Sequence, residues 1–310
     1  MTNRTIRLLT LDGGGIRALI TVKVLEFIEL RTGKRIHELF DLVAGTSTGG
    51  LLACGLTKPN PKTAVQMRDL YLHRGPEIFN RTWMESVWKL GGFMGPKFGE
   101  QGICKVLQEE FGDTRLKDCL IPTMLTSYET QIRKPIFFTS WLNGNSRLRD
   151  VCRASSAGPT YFAPAFFGDP PAPFNTYVDG GLICNNPSVV ALTEAAKLFG
   201  VTRENVLVLS LGTGSDEQPI EYEQCRSWGQ LAWVRPLIGI MMDGVSALNA
   251  HILSEILPPQ NHIRLQAILT GKLGEMDNVE PANLAALETI GQKLVDMHRA
   301  RLVALCDRLI

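Results

Sequence analysis

The sequence predicts an α/β fold with a central, mostly parallel sheet covered by helices. Three observations carry this expectation. A strand–turn–helix unit at the N-terminus repeats at once, further apolar runs alternate with helical stretches to the end of the chain, and 45% of the 310 residues are hydrophobic, enough for a large core.

Ile6 to Leu11 reads as a buried strand, and Gly13 to Gly15 leads into Ile16 to Leu30, where Ile16, Leu19, Ile20, Val24, Phe27 and Ile28 keep helical spacing. Leu39 to Ala44 is the second strand. Gly45-Thr-Ser-Thr-Gly-Gly50 is its turn, and Leu51 to Leu56 opens the next helix. Further strands are expected at Thr123 to Ser127, Ile136 to Ser140, Thr176 to Val178 and Val206 to Leu211, with helices at 101 to 111, 147 to 156 and 187 to 199. From Pro281 onward one long amphipathic helix is expected. The Pro- and Gly-rich stretch 158 to 173 reads as an internal loop, because strand and helix signals resume beyond it. Without a repeat or a linker, residues 1–310 are expected to form a single domain.

Thirty-two Lys and Arg balance 31 Asp and Glu, so the net charge of +1 offers no global field for a nucleic-acid polymer or an anionic bilayer. Cysteines 54, 104, 119, 152, 184, 225 and 306 show no CxxC spacing, which argues for thiols rather than a disulfide framework or a metal site. The first apolar run meets Asp12 too soon for a signal-peptide core, which predicts a cytoplasmic protein. The longest apolar candidate, Pro236 to Met242, is broken by Pro and Gly, so no membrane-spanning run is expected.

Gly45-Thr46-Ser47-Thr48-Gly49 is a G-x-S-x-G between a predicted strand and a predicted helix, the context in which a sharp turn exposes a nucleophilic hydroxyl. The helix N-terminus behind it favours developing negative charge. Gly13-x-Gly15-x-x-Ala18 also fits a dinucleotide fingerprint, which would make the chain a nucleotide-dependent oxidoreductase. That reading expects a carboxylate at the end of the second strand, where Gly45-Thr46-Ser47 stands instead; Glu38 and Asp41 fall at its beginning. Alternatively, the amides of Gly13, Gly14 and Gly15 form an anion-binding nest beside Ser47. None of His37, His73, His251, His262 and His298 lies in a motif that marks a base. Asp179-Gly180-Gly181 places a carboxylate at the end of an apolar run, but by itself it reads better as a simple Asp-Gly turn.

Asp12-Gly-Gly-Gly-Ile-Arg17, Gly45-Thr-Ser-Thr-Gly49 and Asp179-Gly-Gly181, in this order, resemble the patatin-like phospholipase family. Further similarity lies in Arg153-Ala-Ser-Ser-Ala-Gly-Pro-Thr-Tyr-Phe162, Asn185-Asn-Pro187 and Ser210-Leu-Gly-Thr-Gly214. Ala18 and the Ala157-Gly158-Pro159 run depart from the family, which often carries glycine and Ala-Ala-Pro there. The resemblance implies a three-layer α/β/α fold and a lipid acyl hydrolase without metal or cofactor. It implies Ser47 as nucleophile, Asp179 as base and an oxyanion hole from Gly13 to Gly15, supported by Arg17, Gly45, Gly49 and Gly180. It also implies membrane phospholipid as substrate and peripheral contact with the inner membrane. Stand-alone bacterial members of this kind resemble phage-defence effectors switched on by cyclic nucleotides, which implies a cyclic-dinucleotide activator. A homo-oligomer and a non-catalytic lipid-binding module stay open. Residues 81 to 98, rich in Trp, Phe and Gly, read as a lid, a membrane anchor or a core helix, and Trp228 to Met242 as acyl-pocket lining or core.

Overall fold

The computed structural model describes residues 4–80, 95–168 and 174–310. Its strands are β1 (Ile6–Leu11), β2 (Leu42–Thr46), β3 (Thr123–Glu129), β4 (Lys134–Thr139), β5 (Ala165–Phe167), β6 (Asn175–Asp179), β7 (Val206–Leu211), β8 (Ser215–Asp216), β9 (His262–Leu265) and β10 (Ile268–Leu269). The longer helices are α1 (Ala18–Thr32), α2 (Thr48–Thr57), α3 (Ala64–Ile78), α4 (Gln101–Phe111), α5 (Leu148–Ser155), α6 (Ser188–Phe199), α7 (Gln230–Ile256), α8 (Pro281–Met297) and α9 (Arg299–Leu309).

The main sheet runs β5-β6-β3-β2-β1-β7-β9, with β4 also paired to β3. The core β9-β7-β1-β2-β3 is parallel, and β4, β6 and β5 join it antiparallel. Alternation sorts the side chains of the parallel strands. Leu9, Leu11, Val43, Leu207 and Leu209 face one helical layer with α1, while Leu8, Leu42, Ala44, Val206 and Val208 face α6 and the end of α7. Both faces being covered accounts for the unbroken apolar runs of β1 and β7.

One junction positions the site. β2 pairs with β3 in parallel as far as Thr46↔Thr126, and β6 pairs antiparallel with β3 up to Asp179↔Ser127. Their C-terminal ends therefore meet on the same flank of β3, at adjacent residues.

The C-terminal segment is two helices, not the single one expected. The backbone leaves helical geometry at His298 (φ −105°, ψ 13°), between α8 and α9. α7 departs further from expectation. It runs for 27 residues through Pro236 and is long and apolar enough by length and composition to cross a membrane, whereas the sequence suggested a short broken run. It also remains largely unburied rather than forming core: Leu231, Leu237 and Leu248 are 75%, 49% and 55% exposed.

Candidate active site

Ser47 occupies the single residue between β2 and α2 and takes φ 54°, ψ −122°, a left-handed backbone that a non-glycine residue adopts only under constraint. The constraint is packing without room for side chains. A Cβ on Gly45 would overlap the Gly49 carbonyl, and one on Gly49 would overlap the carbonyls of Leu11 and Asp12. The first turn of α2 thus lies directly against the ends of β1 and β2.

The Ser47 hydroxyl donates to Asp179 Oδ2 at 2.7 Å, and the Gly181 N–H donates to Asp179 Oδ1 at 2.7 Å. Both residues are buried. Burial is the largest influence on Asp179 and pushes its carboxyl up to about 6 against the opposing pull of these two hydrogen bonds. Gly180 is required at this turn because a Cβ there would overlap Thr126.

The 153–162 block tethers both members of the pair. Ser155 Oγ accepts from the Ser47 N–H at 2.8 Å, and the Ala157 carbonyl accepts from the Asp179 N–H at 3.0 Å. A Cβ on Gly158 would meet Asp179 Oδ2 at 3.6 Å, ordinary contact, so glycine and alanine are interchangeable here. Arg153 itself is buried, its Nη2 donating to the Ala163 carbonyl at 2.7 Å.

The glycine loop lies beside Ser47. The Gly13 N–H donates to the Asn185 carbonyl at 3.3 Å, the Gly13 carbonyl accepts from Thr213 Oγ at 2.6 Å, and the Ile16 N–H donates to the Met276 carbonyl at 2.9 Å. Arg17 is buried beneath the loop, donating Nε to the Gly14 carbonyl at 3.3 Å and Nη1 to the Gly274 carbonyl at 3.2 Å. Two amides that would cradle a pyrophosphate are therefore already engaged, which argues against the dinucleotide reading. Gly13, expected among the oxyanion-hole donors, has its amide turned to the Asn185 carbonyl, which leaves the amides of Gly14 and Gly15.

Ser47, Asp179 and Gly15 open onto a cavity of about 70 Å³ walled by Leu51, Tyr71, Ile78, Phe79, Tyr161 and Phe162. Tyr71 fixes the first turn of α2, donating to the Thr48 carbonyl at 2.9 Å. Ser156 also lines the cavity, and its buried hydroxyl has no partner among the described residues. Of the 81–98 segment, Trp83, Met84, Val87, Trp88, Leu90 and Phe93 lie outside the described residues, while Phe98 is core, stacked with Phe79 and Phe162. Among the described side chains from Trp228 to Met242, Met242 alone is buried, over Gly181.

Sequence reasoning missed the residues that brace the loop. Asp12 makes a two-point contact with Arg264, Nη1 to Oδ1 at 2.8 Å and Nη2 to Oδ2 at 2.6 Å, and Ser246 of α7 donates to Asp12 Oδ2 at 3.4 Å. The one usable signal was an arginine alternating with His262 in an otherwise apolar strand.

Fold and site together define an α/β protein with a serine–carboxylate pair at a strand-to-helix turn. A sequence profile for patatin-like phospholipases matches residues 9–192. The chain is 30% identical to patatin-2-Kuras 3 and to patatin group J-1 of Solanum tuberosum, over 94% of its own length and 83% and 84% of theirs. It is 29% identical to a probable inactive patatin, patatin-3-Kuras 1, from the same plant, over 94% of its own length and 86% of that chain. Among solved structures, VipD from Legionella pneumophila aligns with a TM-score of 0.45 at 12% identity, over 96% of this chain and 68% of that one. The chain belongs to the patatin-like phospholipase family, and this membership supports lipid acyl hydrolase activity.

Proposed function

We propose that the protein is a phospholipase A-type serine hydrolase that cleaves fatty-acyl esters of membrane glycerophospholipids through an acyl-enzyme. The observation that carries this reading is the 2.7 Å hydrogen bond from Ser47 Oγ to Asp179 Oδ2 at the floor of an apolar cavity. Asp179 accepts the hydroxyl proton as Ser47 attacks the acyl carbonyl. The Gly14 and Gly15 amides, with the N-terminus of α2, stabilise the oxyanion, each such donor contributing about 3 kcal/mol. Collapse expels the lysolipid with the proton held by Asp179, and water, deprotonated by the same carboxylate, hydrolyses the acyl-enzyme. A carboxyl raised to about 6 is a better base than one near its reference value of about 3.9.

Peripheral contact with the inner membrane, from a cytoplasmic location, is part of this proposal. It is supported by the exposed apolar stripe of α7, where Val234, Met241 and Leu248 recur at seven-residue spacing with Leu237 beside them. Hydrolysis of phospholipid vesicles by the wild type, Ser47→Ala and Asp179→Asn, with products identified by mass spectrometry, tests the chemistry. Fatty-acid release by wild type alone supports it; vesicle binding without release by any form supports a lipid-binding module, a reading favoured by the match to a probable inactive patatin. The further proposal of a defence effector rests on family analogy. Its test is the same assay with a panel of cyclic dinucleotides, and a rate unchanged by all of them counts against it.

A further inference from the structure

A second cavity, of about 510 Å³, lies away from the catalytic one, at the edge of the sheet beside β9. His262 and Arg264 alternate along β9 and so face the same layer, toward His251 and Ser254 on α7. Arg301 reaches round the sheet edge from α9, its Nη2 donating to the His262 carbonyl at 2.8 Å. We propose that this cavity binds a phosphate-type oxyanion, held by Arg301 and Arg264 with His262 and Ser254 beside them.

The charges in the cavity are of one sign. Arg301 meets no carboxylate within ion-pair distance among the described residues, and the carboxylate that neutralises Arg264 belongs to Asp12, in the glycine loop. His262 is more than nine-tenths buried, and its Nε2 has no hydrogen-bond partner among the described residues. A buried imidazole without a partner is a cost that a fold normally avoids. Burial first, then Arg264 and Arg301, push this imidazole down to about 4, so it is neutral near pH 7 and the two guanidinium groups carry the positive charge of the cavity wall. Planar guanidinium groups suit phosphate oxygens, and the volume admits a ligand larger than a lone phosphate. An oxyanion drawn to Arg264 competes with Asp12 for the same guanidinium, giving the cavity a route to the glycine loop beside Ser47.

The oxyanion can come from a soluble phosphate ester or from a lipid headgroup, and the experiment separates the two. Inorganic pyrophosphate is titrated into the full chain at constant ionic strength while the His262 ring resonances are followed by NMR. Wild type is expected to saturate, and Arg301→Gln and Ser254→Asp to weaken binding at least about tenfold by removing a cation or adding an anion; Arg301→Lys retains most of it. Both lost-function sites are at exposed positions, and melting curves check that each variant is folded. Binding of vesicles containing phosphatidylglycerol that is competed by pyrophosphate and weakened by Ser254→Asp identifies a headgroup site. Vesicle binding indifferent to both, with pyrophosphate saturation intact, identifies a soluble ligand. No saturable shift in wild type, or equal affinity in folded Arg301→Gln and Ser254→Asp, overturns the proposal. These readouts do not use hydrolysis, so they stand apart from the fate of the catalytic reading.

Discussion

An aspartate in water has a pKa of about 3.9 and scarcely binds a proton at neutral pH. Asp179, raised to about 6 by burial, pays for its basicity in stability. Because the folded value lies above the unfolded one, its protonation supports the fold fully below about 4, and that support is lost as pH rises through about 6. The rise from about 3.9 to about 6 corresponds to about 3 kcal/mol at neutral pH. Asp179→Asn is therefore expected to melt higher than wild type at pH 7, with the margin closing as pH falls toward 4. The same substitution should lower kcat by about 10²- to 10⁴-fold, and wild-type kcat/KM should climb with pH to a plateau above about 6. A wild-type profile flat from pH 5 to 8, or a variant that hydrolyses ester at the parental rate, would remove Asp179 as the base. At this scale the sequence was informative where chemistry needs a short motif: Ser47 and Asp179 both stand beside glycines whose absence of a Cβ the structure explains. Arg264 was not legible, and Ser155 and Asn185 stood only inside family-like blocks, without their bracing roles. Each acts through a partner more than a hundred residues away, and no local spacing encodes such a contact.

Among the elements, strands and the helices between them follow the apolar runs closely, because burial on both faces leaves one dominant signal. α7 and the α8–α9 break were misread for opposite reasons. Pro236 and Gly239 suggested interruption, yet the 27-residue helix runs through both; His298 suggested nothing, yet the helix ends there. The tight seat of α2 yields a sharper prediction. Gly49→Ala forces a methyl group into the Leu11 and Asp12 carbonyls, so α2 must lift from the ends of β1 and β2. Overpacking of this kind costs about 1–3 kcal/mol, and it moves the Ser47 hydroxyl away from Asp179. The variant should melt several degrees lower and lose nearly all soluble-ester hydrolysis. Gly158→Ala, by contrast, brings its methyl group only into ordinary contact and should keep both.

At the scale of the whole molecule, the net charge of +1 and the exposed stripe of α7 bear on how the proposed bilayer contact would form. A basic protein binds anionic lipid through charge, and salt detaches it. The proposed contact would come from apolar area: Leu237 and Leu248, 49% and 55% exposed, can each still bury about half a side chain, worth about 1 kcal/mol apiece. Replacing both with serine should weaken partitioning onto vesicles by roughly tenfold or more, while raising the ionic strength from about 0.05 to 0.5 M should change wild-type binding only a few-fold. The same double variant should melt close to the parent and turn over a soluble ester at the parental rate, since each side chain is about half exposed and neither lines the cavity of Ser47. Vesicle flotation at two salt concentrations, with ester turnover in parallel, decides the matter. Salt-sensitive binding that survives both serines would move the membrane contact off α7 and onto a basic patch.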